Sequence, residues 1–241
     1  MRRHIWTTAF GFLAILVLVP ALGRPVLYPN STTVMLEYCA DVMKEAQVLY
    51  SPSSRWSIGA GHLELEDTGP NHEHEVNFGR LNLLVKRWNL ESAQANIFVW
   101  GGAGQSSVTI APSAAPDSGE HDHGGPAPEP GRPQTFTETA WNSGAQLDYE
   151  TRRIYFAASS DAHYSSTFLH RTDRLQFGVA PYKHEVGNLA TWIVVSASHY
   201  AGDIEENTEV AFLLRLFRKH TWMEVGATTE GKPQARFMLT F

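Results

Sequence analysis

One cysteine, Cys39, stands in 241 residues, so no intramolecular disulfide can staple this chain. Charge is sparse and not skewed to base. Lys and Arg number 19 against 25 Asp and Glu, and the net charge is −6. That excludes the concentrated basic face of a nucleic-acid-binding protein, and no nucleic-acid partner is expected. Beyond residue 23 no apolar run approaches the roughly 20 residues of a membrane-spanning helix. Amphipathic helical periodicity is scarce throughout. The Gly101-Gly102-Ala103-Gly104 run is followed by neither a Lys nor a helical pattern, so it reads as a strand end feeding a flexible loop rather than a phosphate cradle.

What is present is alternation. Apolar and polar residues exchange at period two between turn signals, which predicts strands near 32–39, 43–51, 55–65, 76–87, 93–104, 136–149, 152–163, 168–180, 189–200, 208–218, 220–228 and 232–241. That is about twelve, with eight or ten left open by the weaker segments. The start differs. A basic Met1-Arg2-Arg3-His4 precedes an apolar stretch to Pro20, and Ala21-Leu22-Gly23 supplies small residues. This predicts a signal peptide over 1–23 and a domain over 24–241. The final strand carries Ala235, Phe237, Leu239 and Phe241 on one side and Gln234, Arg236 and Thr240 on the other.

An alternating terminal strand with an aromatic carboxy terminus, behind a signal peptide, resembles the bacterial outer-membrane β-barrel proteins. The resemblance implies an all-β, transmembrane, antiparallel up-and-down β-barrel in a Gram-negative outer membrane. It also implies lipid and lipopolysaccharide around the barrel, and barrel-assembly machinery recognising the C-terminal strand. Connections test the idea, because such barrels alternate short periplasmic turns with longer external loops. Most even-numbered connections are short, and the longest stretch, a Pro- and Gly-rich loop near 105–135, falls outside.

The two strand faces differ. One parity is apolar and free of charge, as in Leu81-Leu83-Val85, Leu175-Phe177-Val179, Ile193-Val195 and Phe212-Leu214. The other carries Arg80, Lys86, Arg153, Arg174, Arg215 and Arg236 against Glu37, Glu45, Asp148, Asp161, Glu209 and Glu224. A charge on the lipid face at the bilayer centre costs ~2–4 kcal/mol, so the charged parity is assigned to the lumen. Near balance of sign favours a paired plug over an ion-selective pore. Trp56, Trp88, Trp100, Trp141, Tyr149, Tyr164, Tyr182 and Tyr200 suit aromatic girdles.

The expected function is therefore a structural barrel or a narrow small-solute channel with a charge-paired lumen, not an enzyme and without a resident cofactor. Three alternatives stand beside it. His72, His74, His121 and His123, in predicted external loops, could take Zn or Cu, which neutral imidazole suits. A lipid hydrolase would need a Ser beside a His: Ser159 or Ser160 with His163, Ser165 or Ser166 with His170, or Ser198 with His199. A soluble periplasmic β-protein would turn the polar parity to water.

Overall fold

The computed structural model describes residues 28–66, 72–110, 134–183, 188–204 and 206–241. Residues 1–23, expected to be a signal peptide, lie outside them. The described residues form twelve strands and no helix: β1 (Ser31–Cys39), β2 (Met43–Ser53), β3 (Trp56–Glu66), β4 (His72–Asn89), β5 (Ala93–Ile110), β6 (Gln134–Thr151), β7 (Ile154–Tyr164), β8 (Leu169–Val179), β9 (Ala190–Gly202), β10 (Asn207–Arg218), β11 (Thr221–Thr228) and β12 (Pro233–Thr240). Each strand pairs antiparallel with its chain neighbours, and β12 returns to pair with β1. The fold is a closed, all-β, up-and-down barrel of twelve strands. Closure leaves no unpaired strand edge.

The closing seam is built from inward-facing pairs. Thr33 lies opposite Thr240 and Glu37 opposite Arg236. The two threonine hydroxyls are 3.1 Å apart, and Arg236 Nε donates to Glu37 Oε1 at 3.0 Å. Reciprocal backbone bonds between Thr32 and Phe241 finish the ladder. Sequence alternation thus becomes a wall, since successive side chains point to opposite faces.

Strands β4, β5 and β6 run further than alternation indicated. Their ladder is continuous from His72–Ile110 to Ile110–Gln134. Residues 105–110 and 134–135, expected in the long loop, are paired strand, because the Ser-, Thr- and Val-rich segment fits a pleated ladder. The connection that remains, 111–133, lies outside the described residues. His72 and His74 likewise sit on β4 rather than in a loop. The glycine run is mid-strand, and two of its members are needed there. A Cβ on Gly102 would fall 1.8 Å from the Gly79 carbonyl oxygen, and one on Gly104 would fall 1.9 Å from that of Asn77.

The barrel is filled rather than hollow. At the end carrying the 111–133 connection (the long-loop end), Val76, Phe78, Leu63, Leu65, Phe168 and Tyr200 pack inside. At the opposite, short-turn end, Trp192, Val194, Leu213, Phe217, Trp222 and Met238 do the same. Charged side chains occupy the layer between. Outside, Leu81, Leu175, Ile193 and Phe212 stand exposed.

An acceptor on β6 helps to hold the β7–β8 connection over the long-loop mouth. The Glu138 carboxylate accepts hydrogen bonds from the hydroxyls of Ser165, Ser166 and Thr167, next to Phe168, which plugs that mouth. These bonds tie three successive residues of the connection to β6. The protection factors of amides 165–168 in hydrogen exchange, taken relative to their intrinsic rates, should therefore be high in the wild type and fall in Glu138→Ala. A second prediction follows from the glycine contacts. Gly102→Val should abolish the heat-modifiable gel migration of the folded barrel, whereas valine at the exposed Leu81 should leave it intact.

Candidate functional site

The interior charges form two struts across the barrel. In the first, Glu37 Oε1 lies 2.6 Å from Arg174 Nη2 and 3.0 Å from Arg236 Nε. Arg236 Nη1 then reaches Glu224 Oε2 at 3.0 Å, and Glu224 Oε1 meets Arg215 at 2.5 Å. The chain Arg174–Glu37–Arg236–Glu224–Arg215 alternates in sign at every step and joins β8 to β1, β12, β11 and β10. Gln176 adds a bond to Glu224 at 3.4 Å. The Arg215 guanidinium stacks 4.0 Å from the Tyr155 ring centroid and 5.4 Å from that of Trp222. Such layering places each buried charge between partners, the condition for its being tolerated away from water.

The second strut joins β4 to β7. Arg80 Nη2 contacts both carboxylate oxygens of Asp161, at 3.2 and 3.0 Å, and Arg80 Nε donates to Asn142 at 3.1 Å. Trp100 Nε1 donates to Asp161 at 2.8 Å. Between the struts lies a cavity of about 140 Å³, lined among others by Glu45, Arg80, Tyr155, Arg174, Arg215 and Arg236. Apolar side chains pack toward both mouths.

The other sequence-predicted lumen residues fall in four places. Asp148 is buried and accepts from Asn96 at 2.6 Å. Glu209 is buried at the long-loop end, with Lys232 at 3.4 Å and Gln234 at 3.1 Å. Lys86 and Arg153 are not in the lumen. A β-bulge between Leu84 and Lys86 inserts one extra residue and inverts the parity of β4 beyond it. Lys86 consequently turns outward beside Trp88, 5.9 Å from its ring centroid, and Arg87 takes the inward position, donating to Asn96 at 2.7 Å. Arg153 sits in the β6–β7 turn, where it reaches the Pro181 carbonyl at 3.2 Å.

Of the aromatic residues assigned to girdles, Trp56, Trp88, Trp141, Tyr149, Tyr164 and Tyr182 are exposed on the outer face. Trp100 and Tyr200 point inward instead, because their strands place them on the same parity as Phe98 and Ser198. The histidines also divide. His74 lies 6.0 Å from the Phe168 ring, whereas His121 and His123 lie outside the described residues. Buried His163 and His170, which composition alone did not single out as a pair, are cross-strand partners inside the barrel.

Among the described residues, none of the candidate Ser–His pairs of the hydrolase alternative is hydrogen-bonded. Strand alternation puts Ser198 inside, where it accepts from Arg174 at 3.2 Å, and His199 outside, 2.9 Å from Thr208. Ser160 faces out and His163 in. Ser165 and Ser166 are held by Glu138, away from His170. The outer face does carry a polar row, Ser160, Asp173, His199 and Thr208, in register across β7 to β10. There the Asp173 carboxylate is taken by Arg171, with Nε at 3.0 Å and Nη2 at 2.5 Å. That ion pair departs from the charge-free outer parity expected of β8.

No protein-family model and no curated protein matches this chain. Among solved structures, the N-terminal β-barrel domain of Pseudomonas aeruginosa OprF is similar at 11% identity, over 88% of this chain and 98% of that one, with a TM-score of 0.35. A likeness of that size carries no function across.

Removing one partner of a buried ion pair costs about 3–5 kcal/mol, because the other charge is left uncompensated, whereas an exposed pair contributes roughly 0–1 kcal/mol. Glu224→Ala should therefore lower the unfolding free energy by about 3–5 kcal/mol, and Arg171→Ala by less than about 1 kcal/mol. Urea unfolding of the folded barrel in lipid vesicles measures both.

Proposed function

We propose that this chain is an integral β-barrel of a Gram-negative outer membrane, closed internally by its own side chains, serving as a structural wall component. One observation carries the reading: apolar side chains pack at both ends of the interior and also cover the outside. Its interior is packed with buried Trp192, Phe217, Phe78 and Met238. Its exterior nevertheless exposes Ile193 at 60%, Phe212 at 58%, Leu175 at 55% and Ile58 at 51%. A soluble barrel buries its apolar residues inside and turns polar ones to water, and soluble monomers rarely expose contiguous apolar patches beyond a few hundred Å². A hydrocarbon surround satisfies both faces. The outward aromatic residues support it further: Trp141 and Tyr164 lie toward the long-loop end, with Trp56, Trp88, Tyr149 and Tyr182 toward the other, as interfacial belts require. Membrane lipids are then the barrel's immediate partners, and the polar row near Arg171 faces them.

A narrow channel is the second reading, favoured by the cavity of about 140 Å³ in the charged layer. The apolar layers above and below it argue for a plug. Planar-bilayer recording separates the two. A plugged barrel gives no stable conductance steps, for the wild type or for Arg80→Ala and Arg215→Ala. Steady steps whose ion selectivity changes in those two variants would establish a channel instead.

A further inference from the structure

Given the membrane-spanning reading, on which this rests, we propose that the outer wall over β6 to β9 is where a second copy of this chain docks, forming a two-fold dimer within the membrane. The starting point is the Arg171–Asp173 ion pair on β8. Both side chains face outward, Arg171 with 51% of its side chain exposed and Asp173 with 30%. Asp173 is the register partner of Ser160, four residues along β7 from the girdle residue Tyr164. Those four residues span roughly 13 Å of strand, or roughly 10 Å of depth at the strand tilt of such barrels. The carboxylate therefore stands well below the aromatic belt, inside an apolar band about 25 Å tall. Ionisable groups at such depth are costly, and they face protein or a water-filled cavity rather than lipid. In a lone barrel this pair meets lipid, and a second barrel would withdraw it.

A groove of about 670 Å³ runs along the outer wall beside Asp173 and His199. Ala145, Ala158 and Ala197 line it, together with Leu147 and Leu175. Register sets most of these in one row: Leu147 opposite Ala158, Ala158 opposite Leu175, and Leu175 opposite Ala197. Leucine and alanine thus alternate across four strands, β6 to β9. Small residues let neighbouring elements approach closely inside a membrane, where packing drives association. Leu175, 55% exposed, is a ridge, and the alanines beside it are hollows of matching width. One row offers both parts, as a two-fold contact requires, since the same patch must fit itself.

Charge selects the occupant. An acyl chain fills a groove of alanines but offers nothing to a guanidinium or a carboxylate. Arg171 gives Asp173 two bonds, from Nε at 3.0 Å and Nη2 at 2.5 Å. A guanidinium has further donors beyond two, and a carboxylate further acceptor sites. The free donors of one copy match the free acceptors of another. Arg171 and Asp173 lie two residues apart on one strand. A two-fold axis along the membrane normal between them sets Arg171 near the partner's Asp173 and Asp173 near the partner's Arg171. Opposite signs then meet on both sides of the axis, and the pair is closed within protein.

Energy transfer between fluorophores at Glu230→Cys, in a Cys39→Ala background, reads the dimer in lipid vesicles. Heat-modifiable gel migration of washed vesicles first shows each variant folded and inserted. Donor- and acceptor-labelled copies should transfer energy above the level of chance proximity, and the transfer should fall as lipid dilutes them. Asp173→Arg and Arg171→Asp each set like charges against each other, and each should shift the dissociation midpoint by about 10-fold or more. Donor-labelled Asp173→Arg mixed with acceptor-labelled Arg171→Asp should recover the transfer, because an all-positive patch then meets an all-negative one. Leu81→Ala, on β4 and away from this face, should change nothing. Inserted wild type with chance-level transfer overturns the dimer and leaves lipid over the groove. Single variants that associate as the wild type does, or a mixture that stays apart, overturn it too. In those cases the membrane reading stands, whereas a chain that never inserts into vesicles contradicts both.

Discussion

The Glu37–Arg236 contact across the β1–β12 seam is the interaction on which the rest of the barrel depends. It joins the first and last strands, and from it the alternating chain runs to Arg174 on one side and to Glu224 and Arg215 on the other. Without that seam β1 and β12 would be open edges, and every inward charge would lose its dry, fixed surroundings. With it, a narrow barrel must accommodate at least four guanidinium groups, and it can do so only by alternating them with carboxylates. Such pairing adds little net stability over an apolar filling of similar volume. It does bring specific strands into specific register, since Arg174 and Glu37 meet only across a correctly closed lumen.

Layering extends the same logic. Charges gather in the middle of the interior, where the struts alternate them in sign, and apolar side chains take both ends. The outer face is apolar beside the inner layers, and this double burial is what a hydrocarbon surround demands. In the polar row of Ser160, Asp173, His199 and Thr208 on that face, the charge of Asp173 is neutralised by Arg171.

Strand number, strand positions and the face of most residues were legible in the sequence, because period-two alternation reports facing directly. Arg80, Arg174, Arg215 and Arg236 lie inside for that reason. Alternation fails wherever the chain skips a beat. The bulge before Lys86 exchanged it with Arg87, and the turn at Arg153 removed that residue from any face. The apolar end layers were hidden for another reason: Val76, Phe78, Trp192 and Val194 share the parity of the interior charges, so a rule assigning one polar and one apolar face could not see them. The His163–His170 pair required the β7–β8 register, which spacing alone does not supply. Histidine-dense segments such as His72–Glu75 drew attention instead.

The most direct test of a membrane-spanning barrel reads the solvent around its outer face. In a Cys39→Ala background, a nitroxide label at Ile193→Cys in protein folded into lipid vesicles should collide with oxygen dissolved in the acyl phase. It should be shielded from an aqueous nickel chelate. A label there that collides freely with the chelate, and not with lipid-borne oxygen, would contradict a membrane-spanning barrel.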